Sequence, residues 1–365
     1  MPVEVLPTSS GHLARNITVH FPAMNPQWRD HLLSKGVVLD NARVTDFRHP
    51  AMEIADAESG TILCDLSHVG LIRFEGEDSA AFLQGQLTCD VREIQGRATH
   101  GGYCSHQGRL LATFLLWQAG AGYLMQLPED IQEAIRQRLS RFVLRAKVRL
   151  ADAGDDLIRM GIAGRDAETA LAAHFGRAPP VPMTLVRSGD ETLMRLDASR
   201  FELLLPPERA PAVWDQLAAM ATPAGADCWE WLEIRAGIPA VMGATQEQFV
   251  PQMTNLDLVG GVSFTKGCYP GQEIVARTHY LGRLKRRTVL AHLEGSTAPR
   301  PGDEVHAPDA GGQAAGMVLR AAPAPGGGFD LLAVVQISSA EGGDLHWKSP
   351  DGPRLTLLPL PYGLG

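Results

Sequence analysis

A chain of 365 residues, 45% hydrophobic and 20% charged, holds enough apolar material for two or three domains with a large buried core, which excludes dominant disorder. Its formal net charge of -8 argues against a surface that binds nucleic acid broadly. Five cysteines at 64, 89, 104, 228 and 268, an odd number with no Cys-x-x-Cys spacing, argue against a disulfide framework or a zinc site. No apolar run approaches the roughly eighteen residues that a membrane span needs. The N-terminal Met-Pro-Val-Glu-Val-Leu-Pro lacks the basic start and apolar run of a secretory leader, so a reducing cytoplasm is the expected location, with no direct membrane partner.

In chain order, Asn25 and Pro26 predict a helix through Lys35, with asparagine as N-cap, proline in the first turn and Gly36 as terminator. A strand near 70–74 leads to a helix whose apolar face carries Ala80, Phe82, Leu83 and Leu87. Strands are expected over 100–127, then a helix from about Pro128 that buries Ile131, Ile135 and Leu139 and turns Arg136, Arg138 and Arg141 to water. Residues 145–152 alternate as a strand and open a second α+β unit, with a helix at 166–175, a hairpin at 192–206 and a helix at 210–220. The passage 228–239 interleaves Trp229 and Trp231 with Glu230, Glu233 and Arg235, and reads as a helix whose polar face borders something other than core. The two tryptophans cannot share one helical face. From Arg287 onward, six short strands (288–293, 304–306, 315–320, 329–337, 344–348, 354–359), separated by Gly and Pro turns, indicate a small β-barrel.

The segment 266–273, Lys-Gly-Cys-Tyr-Pro-Gly-Gln-Glu, concentrates an ammonium, a thiol, a phenol, an amide and a carboxylate around Gly267 and Gly271. Tyr269, Pro270, Gly271 and Gln272 read as a type II turn, with proline presetting φ and glycine accepting a positive φ. Glu273 to Arg277 then alternates as a strand would, which places Cys268 at the edge of a turn, open to another molecule. Lys266 and Arg277 are the neighbours expected to favour its thiolate. Lys266, Arg277, Arg283, Lys285, Arg286 and Arg287, against the single acid Glu273, form a basic stripe. It is either a solvated face or a landing site for carboxylates or for phosphates, and nucleic acid is not expected to bind except through it.

The run from Lys266 to Arg277, preceded by Pro-Gln-Met-Thr-Asn-Leu-Asp at 251–257 and Gly-Gly-Val-Ser-Phe at 260–264, closely resembles the signature of the YgfZ family, folate-binding proteins that support assembly or repair of iron–sulfur clusters. The resemblance extends to 74–90 and 103–111 and covers residues 40 to 360; it is more distant to the aminomethyltransferase of the glycine cleavage system. It implies an α+β, multidomain aminomethyltransferase-like fold with ferredoxin-like sandwich units. The implied parts are an N-terminal folate-cleft domain (20–145), a second α+β domain (146–225), a helix-and-signature segment completing the cleft (226–286) and a C-terminal β-barrel (287–365). It implies tetrahydrofolate or a one-carbon derivative as cofactor, whose glutamate tail is a carboxylate of the kind the basic stripe would land, and iron–sulfur client or assembly proteins as partners. Glu233, Trp231, Arg235, Gln252 and Asn255 are the candidate folate contacts, with Glu233 facing the N–H groups of a pterin although many relatives carry arginine there. Cys268 is the candidate reactive group, Lys266 orients it, and Gly267, Tyr269, Gly271, Gln272, Glu273 and Arg277 shape the loop.

One departure bears on the chemistry. Where the transferase has an acidic pair, this chain has Ala112 and Thr113, and neither a methyl group nor a neutral hydroxyl replaces a carboxylate as base. Three functions stay open: a folate-binding protein of iron–sulfur assembly or repair, extending to enzymes that thiolate tRNA; a folate-dependent one-carbon transferase; and a non-catalytic scaffold for iron–sulfur clients. Whether Cys268 acts covalently, as a redox thiol or as a transient ligand is equally open, since one thiol cannot by itself hold a cluster.

Overall fold

The computed structural model describes residues 24–364, so the reading of the N-terminal segment as leaderless lies outside the described residues. The first helix, Pro26–Ser34, forms as its capping residues dictate: the Trp28 N–H donates to Asn25 Oδ1 at 3.3 Å, and Gly36 turns the chain at φ +83°. Trp28 and Leu32, one turn apart, are fully buried. Between this helix and the strand Val69–Glu75 stand a ribbon (Val38–Asp40 with Arg43–Asp46), a helix (Pro50–Ser59) and a strand (Thr61–Asp65).

Two sheets make the body. The first has five strands in the order Ala98–Cys104, Leu110–Ala119, Gly122–Pro128, Val69–Glu75, Arg149–Asp152. The helix Glu129–Ser140 packs on it through Ile131, Ile135 and Leu139, at the spacing the sequence predicts. The second has six strands in the order Thr184–Ser188, Glu191–Arg195, Arg200–Leu205, Ile158–Gly164, Thr61–Asp65, Thr222–Ala224. Its helices Ala167–Phe175 and Ala210–Leu217, with the first helix, enclose Trp28, Phe201, Leu203 and Trp214.

The strand expected to start at Arg145 is confined to Arg149–Asp152 and lies in the first sheet, beside Val69–Glu75. Residues before it are held in turns instead, with the N–H groups of Phe142, Val143 and Ala146 bonded to carbonyls three residues back. Thr61–Asp65 crosses the other way, into the second sheet. The sheets therefore interleave across position 146 rather than dividing there.

The last six strands close into a barrel: Arg286–Leu293, Phe329–Gln336, Ala314–Pro323, Glu304–His306, Leu345–Trp347 and Arg354–Leu358, which returns to the first. The helix Ala226–Arg235 is wedged between the second sheet and this barrel. Trp229 fills the space over Gly161, where a Cβ would meet the indole at 2.5 Å. Trp231 turns to the barrel, its Nε1–H donating to Asp330 at 2.9 Å. Both tryptophans are buried on different faces of the helix, as the rule that they cannot share one face requires, while Glu230 and Glu233 border a cavity rather than core.

Candidate functional site

A cavity of about 520 Å³ opens where the first sheet, the 226–235 helix and the barrel meet, within the size range of cofactor sites. Helical twist decides which side chains reach it. Glu230 and Glu233, three apart, line it, whereas Trp231 and Arg235, four apart, face the barrel and share Asp330, at 2.9 Å and 3.5 Å. Arg320, from barrel strand Ala314–Pro323, donates to Glu233 at 2.9 Å and to Glu230. Burial opposes its charge, but the two carboxylates outweigh burial and hold the guanidinium above its ordinary range. Burial likewise opposes the Glu230 carboxylate, and Arg320 and His68 prevail, holding it well below the usual carboxylate range. His68 Nε2 lies 3.6 Å from Glu230, beyond hydrogen-bond distance.

Further along the wall, Arg200 donates to Asp197 at 2.6 Å. Burial, with Arg200 nearby, pushes His100 down to about 4, so its imidazole is neutral at physiological pH. Gln126 lines the cavity and donates from Nε2 to Glu202 at 3.1 Å. Glu202 is fully buried; burial raises it to about 7 despite the attraction of Arg159. The sequence reading missed Glu202, yet it carries a signal: an acid inside the run Phe201-Glu-Leu-Leu-Leu205, at a strand position that faces the interior. Glu129 also lines the cavity, its carboxyl raised by burial and by Asp130 and Asp152.

Thr113 stands on the cavity wall where a carboxylate was expected to be missing, and its hydroxyl accepts the Val241 N–H at 3.0 Å. Ala112 is fully buried. Gln252 and Asn255, expected as ligand contacts, do not line the cavity. Gln252 donates to the Val275 carbonyl at 2.7 Å, and Asn255 holds Thr288 through its amide, donating at 3.0 Å and accepting at 3.3 Å. They brace the signature helix and the barrel against each other.

The signature turn forms as read: Pro270 then Gly271 at φ +78°, ψ 3°, closed by the Gln272 N–H to the Tyr269 carbonyl at 3.2 Å. The segment beyond the turn is not a strand. Residues Gln272–Tyr280 form a helix in which Val275 alone is buried, against Cys104, Leu110 and Leu256, while Ile274 is exposed. Alternation of Ile274 and Ala276 with polar neighbours therefore did not mark a sheet face. Gly271 lies against the turn at 105–108, where a Cβ would come within 2.5 Å of Gly108 Cα and Ser105 O.

Lys266 does not attend the thiol. It is 5% exposed, and its Nζ donates to the Leu87 and Cys89 carbonyls at 2.6 Å and 2.8 Å. Burial lowers it to about 8. Tyr269 is buried beside it, the ammonium 5.3 Å from the ring centroid, and Gln272 donates to the Lys266 carbonyl at 3.4 Å. Cys268, Gly267, Glu273 and Arg277 are exposed. The other four cysteines are buried, and burial raises each thiol, to about 12 for Cys89, Cys104 and Cys228. Cys268 is thus the accessible thiol, but no signature residue lines the cavity. Leu256 touches both, lining the cavity and packing on Val275, so an apolar layer separates the two.

Among the described residues no helix is long and apolar enough to cross a membrane, and no cluster of three or more His, Cys, Asp or Glu side chains is arranged to hold a metal ion.

The GCVT N-terminal domain family matches residues 25–263. "tRNA-modifying protein YgfZ" of Cronobacter sakazakii is 32% identical over 86% of this chain and 97% of its own length. The proteins of the same name from Sodalis glossinidius and Shigella dysenteriae are 29% and 30% identical, over 87% and 86% of this chain and 97% of each relative. Among solved structures, the glycine cleavage system aminomethyltransferase T of Bartonella henselae superposes with a TM-score of 0.76 at 16% identity, covering 93% of this chain and 97% of that one. That likeness concerns the fold, with its interleaved sheets and closing barrel, while sequence identity across nearly the whole length of the bacterial relatives shows that the chain belongs to the YgfZ family.

Proposed function

We propose that this protein binds tetrahydrofolate or a one-carbon derivative in the central cavity and supports the assembly or repair of iron–sulfur proteins in the cytoplasm, with Cys268 as its reactive group. The observation that carries the reading is the polar equipment of the cavity region. Around a largely apolar hollow, Arg320 Nε, Arg200 Nη1, Gln126 Oε1 and both ring nitrogens of His68 are buried without a protein hydrogen-bond partner. Glu230 and Glu233 line the same hollow, and a flat heterocycle edged with alternating donors and acceptors pairs with carboxylate, amide and guanidinium groups of this kind. The residues present fit such a group.

In this reading Glu230 and Glu233, fixed by Arg320, accept from ring N–H groups, and Gln126 and Arg200 contact another edge. Bound tetrahydrofolate supplies a carrier for a one-carbon unit. His100, neutral at physiological pH, and Glu129 and Asp130, both raised by burial, are among the titratable groups on the wall able to hold or pass a proton. Thr113 offers no carboxylate, and its hydroxyl is engaged by the Val241 N–H, which weighs against aminomethyl transfer as in the transferase. The name of the relatives, tRNA-modifying protein, supports enzymes that thiolate tRNA as iron–sulfur clients.

Thermal unfolding with and without 5-formyltetrahydrofolate tests the cavity. A ligand at one hundred times its Kd stabilises the folded state by about 2.7 kcal/mol, and a saturating reduced folate that leaves the melting temperature unmoved removes folate from the reading. For the thiol, Cys268→Ala expressed in cells lacking the native protein is expected to fail to restore iron–sulfur enzyme activity; full restoration assigns the protein to a scaffold role.

A further inference from the structure

We propose that the ledge formed by Arg277, Tyr280, Arg283 and Lys285 is a docking surface for single-stranded nucleic acid. The charge is unusual in its freedom. Of the six cations between positions 266 and 287, Lys266 is buried on backbone carbonyls and Arg287 is held by both oxygens of Asp257, at 2.7 Å and 3.2 Å. The side chains of Arg277, Arg283, Lys285 and Arg286 have no hydrogen-bond or ion-pair partner among the described residues. Glu273 is the one acid in that stretch of a chain whose net charge is -8.

A ring platform stands at the end of the helix Gln272–Tyr280, next in the chain to these cations. Phe264 stacks on His279 with centroids 3.7 Å apart and planes at 13°, and His279 meets Tyr280 edge-on at 4.7 Å. Tyr280 is 64% exposed. A ring already braced from behind loses little freedom when a base stacks on its open face, and backbone phosphates answer the unpaired guanidinium and ammonium groups. Stacking with phosphate contact is how sequence-tolerant single-strand binders work. A nine-residue helix is about 13 Å long, so the platform and the exposed Cys268 loop occupy opposite ends of the helix Gln272–Tyr280. This goes beyond the folate reading and does not depend on it.

Fluorescence anisotropy with labelled twelve-nucleotide oligo-U and oligo-dT tests the ledge. The wild-type protein is expected to bind with an affinity that falls between about 50 and 200 mM salt. Replacing Arg277, Arg283 and Lys285 together by alanine is expected to reduce the slope of log K against log salt by about 2, at roughly 0.7 per phosphate contact. Tyr280→Ala is expected to weaken binding about 5- to 150-fold while leaving the slope in place. The replaced side chains are exposed, and an unchanged melting temperature verifies folding. Oligo-U bound more tightly than oligo-dT assigns the ledge to RNA, and the reverse to DNA; either supports the proposal. No binding at 50 mM salt, or binding indifferent to both variants, overturns it. A labelled twelve-residue polyglutamate that binds as tightly as the oligonucleotides also overturns it, giving the ledge to an acidic protein. The folate-induced thermal shift, measured on the same variants, is expected to persist, because no ledge residue lines the cavity; its absence from the wild-type protein strikes the cavity and leaves the ledge standing.

Discussion

Lys266 and Cys268 are two residues apart, yet one is buried and the other exposed: the ammonium is held by the Leu87 and Cys89 carbonyls while the thiol stands in solvent. The lysine ties the signature loop to the 87–89 segment. Lys266→Met keeps the aliphatic length but leaves two buried carbonyls without a donor, which costs about 2–4 kcal/mol by the usual desolvation penalty. A urea midpoint lowered accordingly is expected, with native-state alkylation of Cys268 by iodoacetamide within twofold of the wild type. A tenfold slower alkylation would return the lysine to thiol activation.

Gly271 and Gly267 flank the same thiol but differ in constraint. A Cβ at Gly271 meets backbone atoms of Ser105 and Gly108 at 2.5 Å, and φ is +78°; a Cβ at Gly267 meets nothing within 4 Å. Gly271→Ala is therefore expected to lower the denaturation midpoint by more than about 2 kcal/mol equivalent, and Gly267→Ala to leave it nearly unchanged. Equal effects at the two positions would show that the packing of the 105–108 turn on the signature does not govern the loop.

The sequence disclosed features that are local. Asn25-Pro26, the Tyr269 to Gln272 turn and the six barrel strands carry their own caps, turn residues and periodicity, and each forms where expected. Features made by long-range burial were hidden. Glu273 to Arg277 alternates by composition, but only Val275 is buried, and the segment is free to be helical. Glu233 was singled out through the family resemblance, and it does line the cavity. Its partner Arg320, 87 positions away, was not, because nothing within a barrel strand announces which helix it will face. Trp231 and Arg235 do not line the cavity, because their side of the helix faces the barrel, where both reach Asp330.

Arg320 holds two cavity carboxylates and is itself buried. Its removal leaves Glu233 without its ion-pair partner and Glu230 with only His68 close by, and breaking a pair from one side costs up to about 3–5 kcal/mol when it is buried, less for these partly exposed carboxylates. Arg320→Met is expected to unfold at correspondingly lower urea at pH 7 and to lose the reduced-folate thermal shift. Arg277→Met, on the exposed face, is expected to keep both. An Arg320 variant with wild-type stability would mean that the carboxylates take up protons or solvent without strain.

Glu202 gives a pH signature with a definite sign. Its carboxyl is raised from 4.5 unfolded to about 7 in the folded protein, first by burial. Between those values the folded state binds more protons than the unfolded state, so the contribution is fully present below pH 4.5 and is lost as pH rises through 7. Glu202→Gln keeps the shape and abolishes that titration. The stability of the wild type relative to Glu202→Gln, from urea unfolding at pH 5 and pH 8, is expected to fall by up to roughly 3 kcal/mol with rising pH, about 1.4 kcal/mol for each unit of displacement. The electrostatic partner Arg159 is common to both proteins and leaves the sign intact. A relative stability that is flat with pH, or that rises, would show that Glu202 is already ionised behind Gln126, and the inner wall of the cavity would then carry a fixed negative charge.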